Sequence, residues 1–293
     1  MHPQYRWQHE PRRELTLVQG VQALWSFNFS TARRKAYFHP LHTPKGVLLS
    51  CFEPSDHVWH RGLWFAWKYL NGVNYWEERE PVTEPEGRTE FAGGETVELH
   101  SDRAAIETRY RYCPPGGDAI LEETRRIVAG MPRADSSYTL DWRQTFAATR
   151  EDVKIDCTPI NAQTPWGGYS GLSWRAARTL VQFQALNSEG VRDKECEHRP
   201  ARWVDLTGLA DGGRDLFAGL AMFDHPQNPR HPSPWRCVLE PGNGYINPAF
   251  MMREPWVIEP GAPLVLRYRV LVHDGVPDAV RFEKEWQAFA ATE

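Results

Sequence analysis

No stretch of this 293-residue chain approaches the roughly 18 consecutive apolar residues that would carry a helix across a bilayer, so a helical membrane protein is excluded. Basic residues never cluster beyond Arg33, Arg34 and Lys35, and the formal charge is only -4. Nucleic acid, which demands a broad positive surface, is therefore not an expected partner. Cysteine is scarce. The five present (Cys51, Cys113, Cys157, Cys196 and Cys237) are odd in number, widely spaced and never in a Cys-x-x-Cys pair, which argues against a disulfide framework and a zinc ribbon. Reduced, mostly buried thiols are expected. The opening Met1, His2, Pro3, Gln4 lacks the basic and then apolar character of a leader, so the expected location is cytoplasmic. Missing too are a Gly-x-Ser-x-Gly elbow before a helix, a His-Glu-x-x-His pair, a dinucleotide fingerprint and a phosphate loop. Serine hydrolase, zincin, Rossmann dehydrogenase and P-loop readings thus lack their motifs.

What is present is a chain with 41% hydrophobic and 25% charged residues, ordinary for a globular protein and enough for a sizeable core. Period-two alternation dominates. Ile106, Thr108, Tyr110 and Tyr112 share one face, as do Tyr138, Leu140, Trp142, Gln144 and Phe146, and again Leu264, Leu266, Tyr268, Val270 and Val272. Further strands are expected over Leu15–Phe29, Val47–Phe52, Glu95–His100, Ile120–Val128, Thr179–Leu186, Trp203–Leu206, Leu216–Phe223 and Trp235–Glu240. Turn signals such as Gly93-Gly94, Pro114-Pro115-Gly116-Gly117 and Pro241-Gly242-Asn243-Gly244 separate them. Only about 277–290 reads as helix, with Val280, Phe282, Trp286 and Phe289 expected on one face. The expectation is an all-β protein: a large two-sheet antiparallel sandwich with a short C-terminal helix, forming one domain over residues 1–293.

Chemistry concentrates in three stretches. The first holds His39 and His42, then Asp56, His57, His60 and Arg61, with the last four inside one short segment. The spacing of His57 and His60 can aim two imidazoles at one point, as acid and base or as metal ligands, and the fork of Arg61 can hold oxygens. The second is Asp224-His225-Pro226-Gln227-Asn228-Pro229-Arg230-His231-Pro232-Ser233-Pro234-Trp235, directly after an apolar strand. Its prolines fix a loop, and Asp224 could orient His225. The third, Asn161 to Arg175, combines glycines with Trp166, Tyr169 and Trp174, faces suited to stacking on sugar rings. Glu77, Glu78, Asp141 and Asp224 are carboxylates that could pair for glycoside hydrolysis. For each stretch a plainer reading stays open, in which histidines satisfy backbone groups, Asp-His-Pro builds a turn and the glycines make a tight corner.

Three blocks, Tyr37-Phe38-His39-Pro40-Leu41, His57 through Trp64 and Phe223 through Pro232, together with Gly167–Leu172 and the closing His273-Asp274-Gly275, resemble the PmoA-like bacterial family, whose members are often labelled methane oxygenase PmoA. The likeness runs from about residue 20 to residue 275. A membrane methane monooxygenase subunit needs spanning helices, which a chain of mean hydropathy -0.58 with period-two strands does not supply. The resemblance implies a β-sandwich like the galactose-mutarotase supersandwich, in a family associated with bacterial sugar degradation. It assigns no catalytic residues.

These readings converge on a carbohydrate-active enzyme, a hydrolase, lyase or epimerase acting on a sugar or oxidised glycoside. His60 and His225 would be acid and base, His57 would orient or bind metal, and Asp224 would tune His225. His39, Arg61 and His231 would hold substrate oxygens, and Trp166, Tyr169 and Trp235 would stack on the sugar. In one variant His57, His60 and His225 hold a divalent metal. The alternative is a noncatalytic carbohydrate-binding protein using the same aromatics. The expected partner is a small carbohydrate.

Overall fold

Along Arg103–Cys113 the side chains of Ile106, Thr108, Tyr110 and Tyr112 are buried while Arg109 and Arg111 face solvent, so the alternation read in the sequence becomes a strand with one dry face. Ser137–Ala148 and Leu264–Asp274 behave alike, and they pair antiparallel with Trp142 opposite Tyr268. In this computed structural model residues 5–78, 86–210, 212–213 and 215–292 are described.

Two large antiparallel sheets face each other. One runs in the order Leu180–Asn187, Trp203–Ala210, Phe217–Asp224, Leu264–Asp274, Ser137–Ala148, Leu121–Gly130, Arg103–Cys113 and Arg88–Phe91, with Thr96–Leu99 also pairing with Arg103–Cys113. The other runs Tyr5–Glu10, Glu14–Gln19, Gln22–Asn28, Tyr37–Leu41, Leu63–Ala66, Gly171–Arg175, Asn243–Pro248 and Trp235–Glu240. A small third sheet, not anticipated, joins Trp256–Ile258, Val153–Asp156, Tyr69–Leu70 and Val73–Asn74. The fold is thus all-β and sandwich-like, with a single C-terminal α-helix at Ala279–Ala290. A 3-10 turn at Asp193–Cys196 is the other helical element among the described residues.

The inner faces of the sheets share one hydrophobic core, where Phe65 stacks on Phe146 at 5.3 Å and Phe38 meets Trp142 at 5.6 Å. Each such side chain contributes roughly 1.5–3 kcal/mol through burial. One ion pair lies within this apolar layer. Arg125 Nε donates to Glu123 Oε1 at 2.6 Å, Tyr112 and Gln144 also donate to that carboxylate, and the guanidinium lies 4.7 Å from the Tyr110 ring centroid.

Each sheet also has a covered outer face. On the first, Trp203, Ala221, Phe223 and Leu271 receive Phe282 and Phe289 of the helix, with Trp286 beside them. Asp278 caps this helix by accepting from the backbone N–H groups of Val280 and Arg281. Val280 is 82% exposed, against expectation, because at about 100° per residue it points away from Phe282. On the second sheet, Trp64, Ala66, Trp76 and Tyr245 form another outer layer, packed by Trp59, Tyr169 and Val238. The core therefore separates a helix-covered face from an aromatic face.

Some strand expectations shift. Leu15–Phe29 divides into two strands around Gly20, whose φ of 61° suits the turn. Val47–Phe52 forms only isolated bridges, His42 with Leu48, Ser50 with Ala176 and Phe52 with Arg61. All five cysteines are free, four of them buried. No helix among the described residues is long and apolar enough to cross a membrane.

Candidate active site

Strand parity builds the floor of a cleft on the aromatic face. Leu63 and Phe65 enter the core, so Trp64 and Ala66 point outward; Leu172 and Trp174 enter, so Ser173 and Arg175 point outward. Ile246 enters and Tyr245 faces out, while Trp235 and Cys237 enter and leave Arg236, Val238 and Glu240 outside. Register then sets Tyr245 between Arg175 and Val238, and Asn243 opposite Glu240. Loop residues His57, Trp59, His60, Glu77, Trp166 and Tyr169 complete the walls of this cleft, whose volume is about 470 Å³.

The histidine loop is held by local turns: the His57 N–H donates to Pro54 O and the His60 N–H to His57 O, both at 2.9 Å. This brings the two imidazoles face to face, with centroids 4.7 Å apart and planes 28° apart. Gly62, at φ 72°, follows directly, and a Cβ there would fall 2.6 Å from Phe38 O. No side chain fits at that position.

Asp56 organises the loop's charge. Its carboxylate lies 2.9 Å from His57 Nδ1 and accepts from Arg175 Nη2 at 2.6 Å and Arg178 Nη2 at 2.5 Å. Burial alone would raise its pKa, but the hydrogen bonds from His57 and Arg175 and the Arg175 charge hold it well below the usual carboxylate range. An ionised carboxylate can only accept, so the His57 proton sits on Nδ1 and the Nε2 lone pair is left available as a base.

His60 differs from its neighbour. It is 4% exposed, packed by Trp64 at 4.8 Å and Tyr245 at 5.7 Å. Burial, then the nearby His57, Arg175 and Lys35, push its pKa well below 6.5, so it stays neutral. Its Nδ1 lies 3.4 Å from Arg175 Nη1, which can only donate, placing the proton on Nε2. That N–H has no partner among the described residues. His60 is a hydrogen-bond donor, not a base.

On the opposite wall Asn74 accepts from the Trp76 N–H at 2.8 Å and donates to Glu77 Oε2 at 2.8 Å, while Glu77 Oε1 meets Lys68 Nζ. Burial, with the charge of Glu77 adding to it, pushes the Tyr169 phenol up to about 12, so it remains a protonated donor near neutral pH. Arg236 pairs with Glu197. Trp166, 44% exposed, leaves an indole face open at the rim, 6.5 Å from Tyr169.

The sequence expectation joined His57 and His60 to His225, and this is corrected. His225 lies under the C-terminal helix, 5.0 Å from Phe289, with Nε2 3.2 Å from Thr292 O. It therefore belongs to the helix-covered side, with the core between it and the cleft. Asp224 does not hydrogen-bond His225, although its charge acts against the lowering of that imidazole's pKa by burial: it is fully buried, accepts from Asn228 and the Ser233 N–H, and lies 3.0 Å from His231 Nδ1. This carboxylate fixes its own loop, as the plainer turn reading held. His231 stacks on Trp286 at 6.2 Å, away from the cleft. Trp235 is buried in the core with its N–H on Ala201 O, so its ring is not available for stacking on a sugar. Arg61, 3% exposed, pairs with Glu78 and lies over Phe52, and His39 donates to or accepts from Ser50 at 2.8 Å; neither lines the cleft. Glu78 is taken up by Lys35 and Arg61, and Asp141 by Arg269. The metal variant loses its third ligand with His225, and among the described residues no three His, Cys, Asp or Glu side chains converge as a metal site.

Of the expected residues the cleft retains His57, His60, Glu77, Trp166 and Tyr169. It adds Trp59, Arg175, Arg236, Glu240, Asn243 and Tyr245. Alternation along Trp235–Glu240 carried the signal for Arg236 and Glu240, because once Trp235 is assigned to the core its alternate residues must face outward. Asn243 was read as part of a turn and Tyr245 was given no element, and only pairing to Trp235–Glu240 gives them a direction.

Comparison with known proteins gives slight structural likenesses. The galactosidase domain of an alpha-galactosidase-sucrose kinase is similar at 10% identity and a TM-score of 0.40, over 92% of this chain and 39% of that one. The alpha-galactosidase from Lactobacillus brevis is similar at 8% identity and a TM-score of 0.40, over the same shares. A protein of Synechocystis sp. PCC 6803 is similar at 10% identity and a TM-score of 0.36, over 94% of this chain and 97% of that one. The chain thus spans about two fifths of the length of the two galactosidase chains. None of the curated proteins matches it. The PmoA-like resemblance rests on the quoted motifs alone, since the matching family carries no such name. Residues 14–287 match the family described as "Family of unknown function (DUF6807)", and the chain belongs to that family.

Proposed function

We propose that the aromatic-face cleft binds a carbohydrate and acts on it by acid–base chemistry, in a hydrolase, lyase or epimerase type of reaction. The observation that carries this is the His57–Asp56 dyad, in a cleft that also presents an open indole and a carboxylate. An oriented imidazole with a free Nε2 can take a proton from a sugar hydroxyl or carbon acid. The ionised Asp56 stabilises the imidazolium that results. Tyr169 is the proton donor in this reading, and Glu77 binds hydroxyls or takes the second acid–base role. Trp166 provides the stacking face for a sugar ring. His60 replaces neither: buried and neutral, it stacks on His57 and holds that ring in place.

The test is turnover. Purified protein is incubated with a panel of glycosides, oxidised glycosides and free sugars, and products are followed by mass spectrometry and by NMR of the anomeric signals. His57→Ala should lower turnover by roughly 10²–10⁴ without altering the circular dichroism spectrum. Turnover unaffected by His57→Ala would refute the role of this dyad. Unchanged glycan with saturable binding that disappears in Trp166→Ala would instead establish the noncatalytic reading, which the exposure of Trp166 favours.

A further inference from the structure

The charges of the cleft cancel within the protein, and we infer that its ligand is an uncharged sugar, excluding uronates and sugar phosphates. The inference rests on the carbohydrate reading of the same cleft. Arg175 is 1% exposed and its Nη2 is bonded to Asp56 at 2.6 Å and to Gly242 O at 3.2 Å. Arg236 is paired with Glu197, whose other oxygen accepts from the Cys237 N–H. The Lys68 ammonium is bonded to Glu77. Among the described residues lining the cleft, no cation is left for an anionic ligand without breaking an ion pair in a half-buried place, where the abandoned carboxylate would stay uncompensated.

Glu240 is the lining charge outside these pairs. Glu240, exposed at the cleft mouth, accepts from Asn243 Nδ2 at 3.0 Å and has no ion-pair partner among the described residues. Counting Arg175 and Arg178 with Asp56, Arg236 with Glu197, Lys68 with Glu77, and then Glu240, four cations meet four carboxylates among the described residues, so the cleft offers no net positive charge to attract carboxylates or phosphates. The lining groups outside the ion pairs that a ligand can reach, the open indole face of Trp166 and the Asn243 amide, are uncharged and suit the ring face and hydroxyls of a neutral sugar.

The experiment measures affinity by calorimetry for neutral monosaccharides and methyl glycosides, and for their uronate and 6-phosphate counterparts. Neutral ligands should bind at least about tenfold more tightly than either acid form. Glu240→Gln, a change at an exposed side chain, should narrow that ratio, and Glu197→Gln, which frees the Arg236 charge, should raise uronate affinity by roughly tenfold. Tighter binding of uronates or phosphates to the unaltered protein would overturn the inference while leaving the carbohydrate reading intact. Absence of binding by all three ligand sets would overturn the reading itself, and the inference with it.

Discussion

Acid should weaken this fold through His39, a residue outside the cleft. Its ring sits in the strand Tyr37–Leu41, stacked on Phe52 at 4.9 Å with Nδ1 2.8 Å from Ser50 Oγ, and burial, then the neighbouring His42, push its pKa down to about 4. In the unfolded chain it titrates near 6.5. Below that pH the unfolded state binds a proton that the folded state refuses, so the stability contributed by neutral His39 is complete above 6.5 and is lost as the pH falls through about 4. At 1.36 kcal/mol per pKa unit the full gap corresponds to about 3 kcal/mol, and screening of the partly exposed ring reduces this to about 2 kcal/mol. His39→Gln keeps a polar partner for Ser50 and removes the titration. Urea unfolding of both proteins at pH 7 and pH 4.5 isolates the effect, because His60 and the carboxylates titrate in both. The unaltered protein should lose about 2 kcal/mol more than the variant between the two pH values. Equal losses would refute the assignment of a suppressed charge at His39.

Trp166→Ala should change stability by less than about 0.5 kcal/mol, since the ring is largely in solvent, while weakening sugar affinity about tenfold; calorimetry and thermal melting separate the two. Glu123→Ala should destabilise by about 3–5 kcal/mol in urea, because Arg125 would be left charged inside the core. Phe282→Ala should cost about 3 kcal/mol and raise hydrogen exchange along the C-terminal helix, yet leave sugar affinity at the cleft unchanged. Loss of affinity in that variant would contradict the separation of the two outer faces.

The long strands were legible because each has one wet face. Ile106, Tyr110 and Tyr112 could be assigned inward from the arginines between them, and Trp142 and Tyr268 followed from the same periodicity. The strands under the cleft were not. Leu63–Ala66 and Gly171–Arg175 are buried at every position, since the aromatic layer covers their outer face, so no alternation of polarity marks them. The helix-covered face misled in a related way: His225 and His231 lie in a polar, proline-fixed loop that reads as a catalytic setting, but the partners that absorb their chemistry, Phe289, Thr292 and Trp286, come from a segment some 60 positions later. Local density of histidine picked out His57 and His60, both of which line the cleft. It did not distinguish a base from a donor, because that depends on Asp56 and on Arg175, and Arg175 arrives from a strand whose position only the sheet order gives.

The cleft floor is carried by paired strands at one end of a sheet, whereas its rim residues Trp166, Glu240 and Asn243 sit in a loop or at a hairpin end. Changes at the floor must preserve strand pairing and the packing beneath it, but changes at the rim need satisfy only the ligand. Relatives that accept different sugars should therefore diverge at the positions of Trp166 and Glu240 and agree at those of Trp64 and Ser173.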